Sequence, residues 1–168
     1  MPTTRMIAAL QREFEHESAT TRTHLSRLPA DQLDWRPHEK SFTTLALAIH
    51  IVDCVRWGDA IFSQDELDFD PATFKSFEAT SVAEVIDGFD DGVTRCVRAM
   101  AGVDDEALLQ PWRFTMRGRV RFEKARMDVF RDFTLSHLIH HRGQFSLYLR
   151  LLNVPVPGSY GPTADERF

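Results

Sequence analysis

Three histidines have the spacing expected of ligands to one metal ion. His137 and His141 lie four residues apart in a segment with helical periodicity, so they share a helix face with Cβ atoms roughly 5 to 6 Å apart. His50 lies on the apolar face of an earlier predicted helix. A polar ring edge without a partner in a core costs about 1 to 3 kcal/mol, and neutral imidazole binds Zn, Ni, Cu or Fe well. The pattern therefore predicts a shared divalent metal ion.

The alternative is that each histidine is a core residue bonded to a carboxylate or a carbonyl. A single inward histidine usually has that role, whereas three of them, two being one helical turn apart, favour metal. Three protein ligands leave positions open for water or substrate, while a fourth gives the closed shell of structural zinc. The candidates for that fourth ligand are Asp53, Cys54 and Glu17.

The residues next to the histidine pair limit the chemistry. A zincin peptidase needs glutamate directly after the first histidine, and here that residue is Leu138, so peptidase activity is not expected. His140 is offset by about 100° from His141 and cannot readily join the same ion. With Ser136 and Gly143 it belongs to another helix face, for which we expect a close helix contact in a dimer.

The composition is that of one globular domain over residues 1–168. Of these residues 43% are hydrophobic and 27% charged, and the formal net charge is −5. This charge argues against a nucleic-acid surface, which needs basic side chains to neutralise phosphates. Residues 1–15 reach charged positions too early for a signal peptide, and no run is long enough to span a membrane. We expect a cytoplasmic protein without nucleic-acid or membrane partners.

The two cysteines lie far apart, each in an apolar helical pattern. Neither a C-x-x-C redox pair nor a disulfide framework is indicated, so buried free thiols are the favoured interpretation of Cys54 and Cys96. Cys54 follows His50 by four residues and shares its helix face, which leaves it as an alternative ligand.

Hydrophobic periodicity predicts a first helix from Thr4 to Leu28, stopped by Pro29. Its apolar stripe becomes polar in the middle, at Glu17 and Thr21. These two residues either lie near the metal or, if the helix is rotated slightly, face solvent.

A second helix follows a loop over residues 30–41. Ser41 or Thr43 can cap it, and its apolar residues occur nearly all round, so it should be buried on more than one side. Asp53 shares the face of His50.

A third helix follows an acidic, turn-rich loop over residues 63–80. Ser81 caps this helix, which ends near Gly102. Its apolar stripe contains Cys96.

Between Trp112 and Phe122 the periodicity changes from 3.6 to 2, which predicts a small β-hairpin. The turn lies near Arg117 and Gly118. The arginines of the hairpin form either a solvated strand face or an anion-binding rim for a substrate carboxylate.

The last helix is the longest, from Ala125 to Leu152, or roughly 40 Å. Asn153 suits the position just past its end, and Pro155 prevents continuation. Four amphipathic helices with chain-reversing connections predict an all-α four-helix bundle, with the hairpin inserted before the last helix.

Two stretches of the chain match a known pattern. One is the run His137-Leu-Ile-His-His-Arg-Gly-Gln144, continued by Leu149-Arg150, Val154-Pro155 and the tail Tyr160-Gly-Pro-Thr-Ala-Asp-Glu166. The other runs from Asp34-Trp-Arg-Pro37 to Ser41 and then from Leu45 to His50. Together they resemble the DinB family over most of the chain, and the C-terminal block is the more specific part.

This resemblance implies a DinB/YfiT-like four-helix bundle, generally a homodimer, with a divalent metal held by one histidine of the second helix and two of the fourth. The matching positions are His50, His137 and His141. Metals in the family include nickel, zinc and iron. The wider superfamily includes bacillithiol S-transferases and a mycothiol-dependent maleylpyruvate isomerase, in which the metal is thought to activate a thiol.

Two functional hypotheses follow. The first is a metal-dependent thiol transferase in which the ion binds a low-molecular-weight thiol as the nucleophilic thiolate. Asp53 would orient a ligand ring, and Arg142 or the hairpin arginines would hold a substrate carboxylate. The second is a dimeric metal-binding protein without turnover, in which the ion stabilises the bundle or senses metal or stress. A fourth protein ligand would favour the second hypothesis.

Overall fold

The computed structural model describes residues 6–166, which are mostly helical with one small sheet. The helices are α1 (Met6–Leu25), α2 (Thr44–Ser63), α3 (Val82–Met100), α4 (Asp105–Leu109), α5 (Arg126–Phe130) and α6 (His137–Leu151). The strands are β1 (Glu66–Phe69), β2 (Pro111–Met116) and β3 (Arg119–Ala125). A π-helical segment, Arg131–Ser136, joins α5 to α6. The predicted helix start at Thr4 lies outside the described residues.

The long helices pack in a ring in which α1 and α2 each contact both α3 and α6. Their apolar faces enclose one core that includes Phe14, Phe89 and Phe145. Residues 51–55 of α2 are all buried, which confirms that this helix is covered on more than one side. Within residues 6–166 no helix combines the length and the apolarity that a membrane crossing requires.

The starts of α2 and α3 have the predicted caps. The Thr43 hydroxyl accepts a hydrogen bond from the Ala46 amide at 3.1 Å, so Thr43 rather than Ser41 caps α2. The Ser81 hydroxyl accepts one from the Glu84 amide at 3.3 Å. Each bond satisfies an amide that would otherwise lack a partner at the helix start.

The sheet differs from the simple hairpin that the sequence predicts. β2 and β3 are antiparallel around Arg117 and Gly118, which both have positive φ, at 51° and 71°. β1 adds a third strand, parallel to β2, within the segment that was predicted to be a loop. Four residues surrounded by acidic turn formers are too short for the period of 2 to be recognised, since strands average about five or six residues.

The C-terminal helix ends as predicted but is not uniformly α-helical. Asn153 has φ 58°, and the Val154 amide bonds to the Leu149 carbonyl at 2.9 Å, as in a Schellman motif. The π-helical segment before His137 was not predicted, because a single extra residue within a helical pattern leaves the stripe of apolar residues recognisable.

Candidate metal centre

Packing of α2 against α6 brings the predicted ligands together. His50 lies in the second turn of α2, and His137 and His141 lie in the first turns of α6, directly after the π segment. The ring centroid of His50 lies 5.0 Å from that of His137 and 4.4 Å from that of His141. The two rings of α6 are 4.6 Å apart. The three imidazoles therefore form one cluster.

The distances within this cluster fit a metal ion. Nε2 of His50 and Nε2 of His137 are 3.2 Å apart. Two nitrogens that each lie about 2.0 to 2.1 Å from a tetrahedral Zn²⁺ would be about 3.4 Å apart. The donor atoms of His50, Cys54 and His137 all lie within 4.8 Å of one another. Small side-chain adjustments would bring these three into a single coordination sphere. The predicted ligand His141 is not a member of this group, although its ring lies 4.4 Å from that of His50.

His141 has a partner that fixes its ring. Its Nδ1 lies 2.7 Å from Oε1 of Gln144, and because an amide oxygen only accepts, the proton is on Nδ1. Nε2 is then left with a free electron pair. Ligand histidines commonly have such a partner on the other ring nitrogen. No role for Gln144 was predicted from the sequence, although its spacing of three residues from His141 was the available signal.

Burial keeps all three rings neutral at physiological pH. Desolvation lowers the pKa of His50, and repulsion by His137 lowers it further, while Asp53 opposes the shift. Desolvation also lowers the pKa of His137. The pKa of His141 falls to about 4, mainly by burial and also by repulsion from neighbouring histidines. Neutral imidazole is the form that binds a metal.

A cavity of about 190 Å³ opens beside the cluster. His50, Cys54 and His137 form one of its walls. The remaining wall is largely aromatic and contains Trp57, Phe69, Phe74 and Phe133, together with Asp53. An apolar cavity next to a few polar groups is the usual form of a small-molecule site. The sequence did not predict this wall, because its residues come from three separate elements and a loop.

Asp53 holds a loop rather than a ligand ring. Its carboxylate accepts hydrogen bonds from the Ser76 hydroxyl and from the Phe77 amide, the latter at 3.0 Å. Phe77 in turn packs so closely on Gly88 of α3 that any side chain there would collide with its ring. These contacts anchor the loop that places Phe74 over the cavity. The predicted role of Asp53 in orienting an imidazole has no supporting hydrogen bond among the described residues.

Arg142 is buried in an ion pair instead of facing the cavity. Its Nη1 lies 2.6 Å from Oε2 of Glu17, and its Nη2 lies 2.7 Å from the Tyr160 hydroxyl. Tyr160 also donates to Glu17, at 2.9 Å. Glu17 and Thr21 are both buried, so Glu17 does not face solvent, and Glu17 does not belong to the donor group at the histidines either. The geometry gives Arg142 a structural partner where the sequence suggested a substrate carboxylate.

The hairpin arginines line a different cleft. Arg117, Arg119 and Arg121 surround a space of about 480 Å³ with Pro71 and Met116, and none of them lines the cavity at the histidines. Arg117 is paired with Asp70 at 2.9 Å on the surface. A solvated strand face therefore describes these residues better than a rim of the histidine cavity.

A model of the DinB superfamily matches residues 13–145, which is most of the chain. The chain belongs to the DinB superfamily. The matched region contains every residue of the histidine cluster and Cys54, so the DinB assignment and the cluster concern the same part of the molecule. The family predicted from the C-terminal block and from the start of the second helix is thus confirmed.

Similar proteins agree with a DinB fold. The uncharacterized protein YrdA of Bacillus subtilis (strain 168) is 25% identical over 158 residues, which are 92% of this chain and 88% of YrdA. A DinB-like protein from Bacillus cereus ATCC 10987 has a TM-score of 0.70 at 22% identity, covering 94% of this chain and 99% of that one. The DinB-like protein YjoA of Bacillus subtilis has a TM-score of 0.68 at 14% identity, covering 95% and 99%. These two structures establish the fold alone.

Proposed function

We propose that this DinB protein binds a divalent ion of nickel, zinc or iron through His50, His137 and His141 and acts as a metal-dependent thiol transferase. Its four long helices would form the four-helix bundle of the DinB/YfiT type. The observation that best supports the proposal is the convergence of three neutral imidazoles beside an aromatic-walled cavity. A coordination position that a substrate can reach from such a cavity is typical of catalytic rather than structural metal sites.

A divalent ion held by these residues would supply the positive charge that lowers the pKa of a low-molecular-weight thiol. The thiol sulfur forms a bond to an electrophilic carbon while its proton goes to solvent and the leaving group departs. Gln144 holds the ring of His141 through Nδ1, which leaves Nε2 as the nitrogen that would bind the ion. The aromatic wall at Trp57, Phe74 and Phe133 excludes water and packs against an apolar electrophile.

The metal site is tested by analysis of protein purified without an affinity tag. Wild type should contain one equivalent of metal, and the double variant His137→Ala/His141→Ala should contain almost none. His140→Ala is the matched control, because His140 is an exposed neighbour on α6 that is not expected to join the ion. Stoichiometric metal in the double variant would refute the ligand assignment.

Transferase activity is tested with the metal-loaded protein, a model electrophile and each common cellular thiol in turn. Conjugation above the rate without enzyme should appear with at least one thiol, and it should disappear in the double histidine variant and persist in His140→Ala. If no thiol is conjugated, the transferase proposal fails, while the metal site is judged separately by metal content.

The second candidate is a metal-binding protein without turnover. It is favoured by the presence of Cys54 in the donor group, because a fourth protein ligand gives the closed shell of structural zinc. In that case the loaded protein should show no exchangeable water on the ion. Water-proton relaxation of a paramagnetic, metal-substituted sample tests for the closed shell, since only an open site enhances it, and the conjugation assay decides whether there is turnover.

We also propose a homodimer formed through the outward face of α6. Leu147 and Leu151 are 57% and 51% exposed there, and the space next to Gly143 is open enough for a second backbone to approach. A symmetric pair of such faces would remove the leucines from water. Light scattering should give twice the monomer mass for wild type and the monomer mass for Leu147→Glu/Leu151→Glu. A monomeric wild type would refute this assembly.

A further inference from the structure

The cluster contains a fourth side chain that the three-histidine assignment does not use. Cys54 lies one helical turn after His50 on α2, just as His141 lies one turn after His137 on α6. Two pairs with i, i+4 spacing therefore face each other across the α2–α6 contact, and residues at this spacing lie on one helix face. The donor atom of Cys54 is within 4.8 Å of those of both His50 and His137.

Cys54 also lies on the side of the cluster where a ligand would enter. The cavity is lined by His50, Cys54 and His137, whereas His141 is not among its lining residues. His141 instead approaches His50 with its ring at 4.4 Å between centroids. The sulfur therefore lies with His50 and His137 on the side of the cluster that faces the cavity.

Cys96, the other cysteine, is a structural thiol with which Cys54 can be compared. Cys96 on α3 is fully buried, and its sulfur packs against Gly58 and near the ring of Phe130. It is not part of the donor group formed by the described residues. Cys54 is almost as deeply buried, at 2% exposure, but two imidazole nitrogens and a cavity are beside it.

We propose that Cys54 is the fourth protein ligand of the metal ion and occupies the coordination position that faces the cavity. The inference rests on the metal-binding part of the proposed function. When the ion binds, the S–H bond breaks, a metal–sulfur bond forms, and the proton goes to solvent. A sulfur at about 2.3 Å and a nitrogen at about 2.05 Å from a tetrahedral ion are about 3.6 Å apart, which a small movement of Cys54 would reach.

This ligand set has consequences for the metal and for the substrate. A thiolate with imidazoles selects a thiophilic ion such as Zn²⁺ or Ni²⁺ over Mg²⁺ or Ca²⁺. In the proposed transferase the low-molecular-weight thiol would reach the ion by displacing Cys54, because both sulfurs require the same position. Replacement of Cys54 should therefore make the ion more accessible to an external thiol.

The test uses the full-length protein loaded with Co²⁺ in the absence of added thiol. Wild type should show both the visible d–d bands of tetrahedral cobalt and a near-ultraviolet band for sulfur-to-cobalt charge transfer. Cys54→Ala should keep the d–d bands and lose the charge-transfer band, with cobalt affinity roughly 10-fold or more below wild type. Cys96→Ala is the matched control and should keep both kinds of band.

The possible outcomes separate the proposal that Cys54 is a ligand from the proposal that the histidines bind a metal. A wild-type spectrum with d–d bands but no charge-transfer band overturns the role of Cys54 and leaves the histidine site intact. No cobalt binding at all overturns the metal site itself. X-ray absorption of the zinc-loaded wild type gives an independent result, because a sulfur scatterer at about 2.3 Å must be present. Its absence also overturns the assignment, whether or not the Cys54→Ala variant folds.

Discussion

Hydrogen-bond partners separate the side chains that can bind a ligand from those that hold the fold. Nδ1 of His141 is bonded to Gln144, which leaves Nε2 available. The next residue, Arg142, is bonded to Glu17 and Tyr160 and is only 2% exposed. Two adjacent residues of α6 thus have opposite roles, because successive side chains on a helix point about 100° apart.

Acid should destabilise the metal-free protein through His141. Burial lowers the pKa of this ring to about 4 in the folded state, against about 6.5 in the unfolded chain. The free energy of unfolding is therefore highest above pH 6.5. It decreases as the pH falls from 6.5 toward 4, because in this range only the unfolded chain takes up the proton. At pH 5 we expect a loss of about 1 to 2 kcal/mol. Urea denaturation at pH 7 and pH 5, with chelator present, measures it.

The control for this pH effect is His141→Gln, which cannot take up the proton. Its unfolding free energy should change less between pH 7 and pH 5 than that of wild type. An equal change in both proteins would show that other groups, such as the buried His24, whose pKa is also lowered by desolvation, are responsible.

The buried ion pair should be structural. Arg142→Met leaves the carboxylate of Glu17 without its cation, and such a loss costs about 3 to 5 kcal/mol in unfolding free energy. The double variant Glu17→Leu/Arg142→Met should recover a large part of that loss, and both variants should retain metal. Chemical denaturation and metal analysis provide the readouts. If Arg142→Met had wild-type stability, the ion pair would not be structural, and Arg142 would remain a candidate for binding the substrate.

At the scale of elements, the π segment sets the direction of the ligands on the last helix. Its hydrogen bonds connect residues five apart, so it contains one residue more than an α-helical turn would allow. One residue corresponds to a rotation of about 100°. Phe130 before the segment and Phe145 after it both face the core, while His137 and His141 face α2.

Because the π segment absorbs one residue, removing that residue should leave the site in place. Deletion of Ser136, an exposed residue, would allow α-helical geometry throughout while His137 and His141 keep their direction toward His50. We expect near-wild-type helical circular dichroism and near-wild-type metal content. Insertion of one alanine after Ser136 should instead turn both histidines by about 100° and abolish metal binding. Loss of metal in the deletion variant would contradict this role for the segment.

A buried arginine fixes α2 against the start of the C-terminal helix. Nη1 of Arg126 donates to the carbonyls of Ile61 and Gln64 at the end of α2, the latter at 2.6 Å, and Nη2 binds Asp65 at 2.7 Å. Carbonyls at a helix end lack partners and attract positive charge. This contact sets the relative height of α2 and α6, and so determines that His50 lies level with the α6 histidines.

In the whole molecule, the histidine site would link α2 to α6, which pack against each other at the height of the three rings. An ion bound by α2 and α6 is bound by the native state only, because the unfolded chain separates residues 50 and 137. A ligand present at 100 times its dissociation constant stabilises by about 2.7 kcal/mol. For a chain of this size that corresponds to a rise in Tm of roughly 5 to 10 °C.

Removal of the metal should accordingly lower Tm by roughly 5 to 10 °C, measured by calorimetry before and after chelation. Addition of the metal should restore the original value. The variant His137→Ala/His141→Ala should melt at one temperature under both conditions. A wild-type Tm that does not respond to chelation would mean that the cluster has no role in stability.

Local signals of the chain determined much of this protein. The spacing of His137 and His141, the cap at Thr43, the turn at Arg117 and Gly118, and the helix end at Asn153 all depend on residues within a few positions of one another. Such features follow from helix and turn geometry, which the sequence specifies directly. The DinB resemblance was also carried by contiguous runs of residues.

Which distant side chains meet is visible only in the folded protein. The pairing of β1 with β2, the aromatic wall of the cavity, the ion pair of Arg142 with Glu17 and the position of Cys54 beside two imidazoles all join separate elements. Long-range contacts depend on the rotation and height of each helix, which the π segment and Arg126 set and which no local pattern encodes. The sequence predicted the histidines as candidate ligands, and the packing of α2 against α6 brings their ring centroids within 5.0 Å of one another.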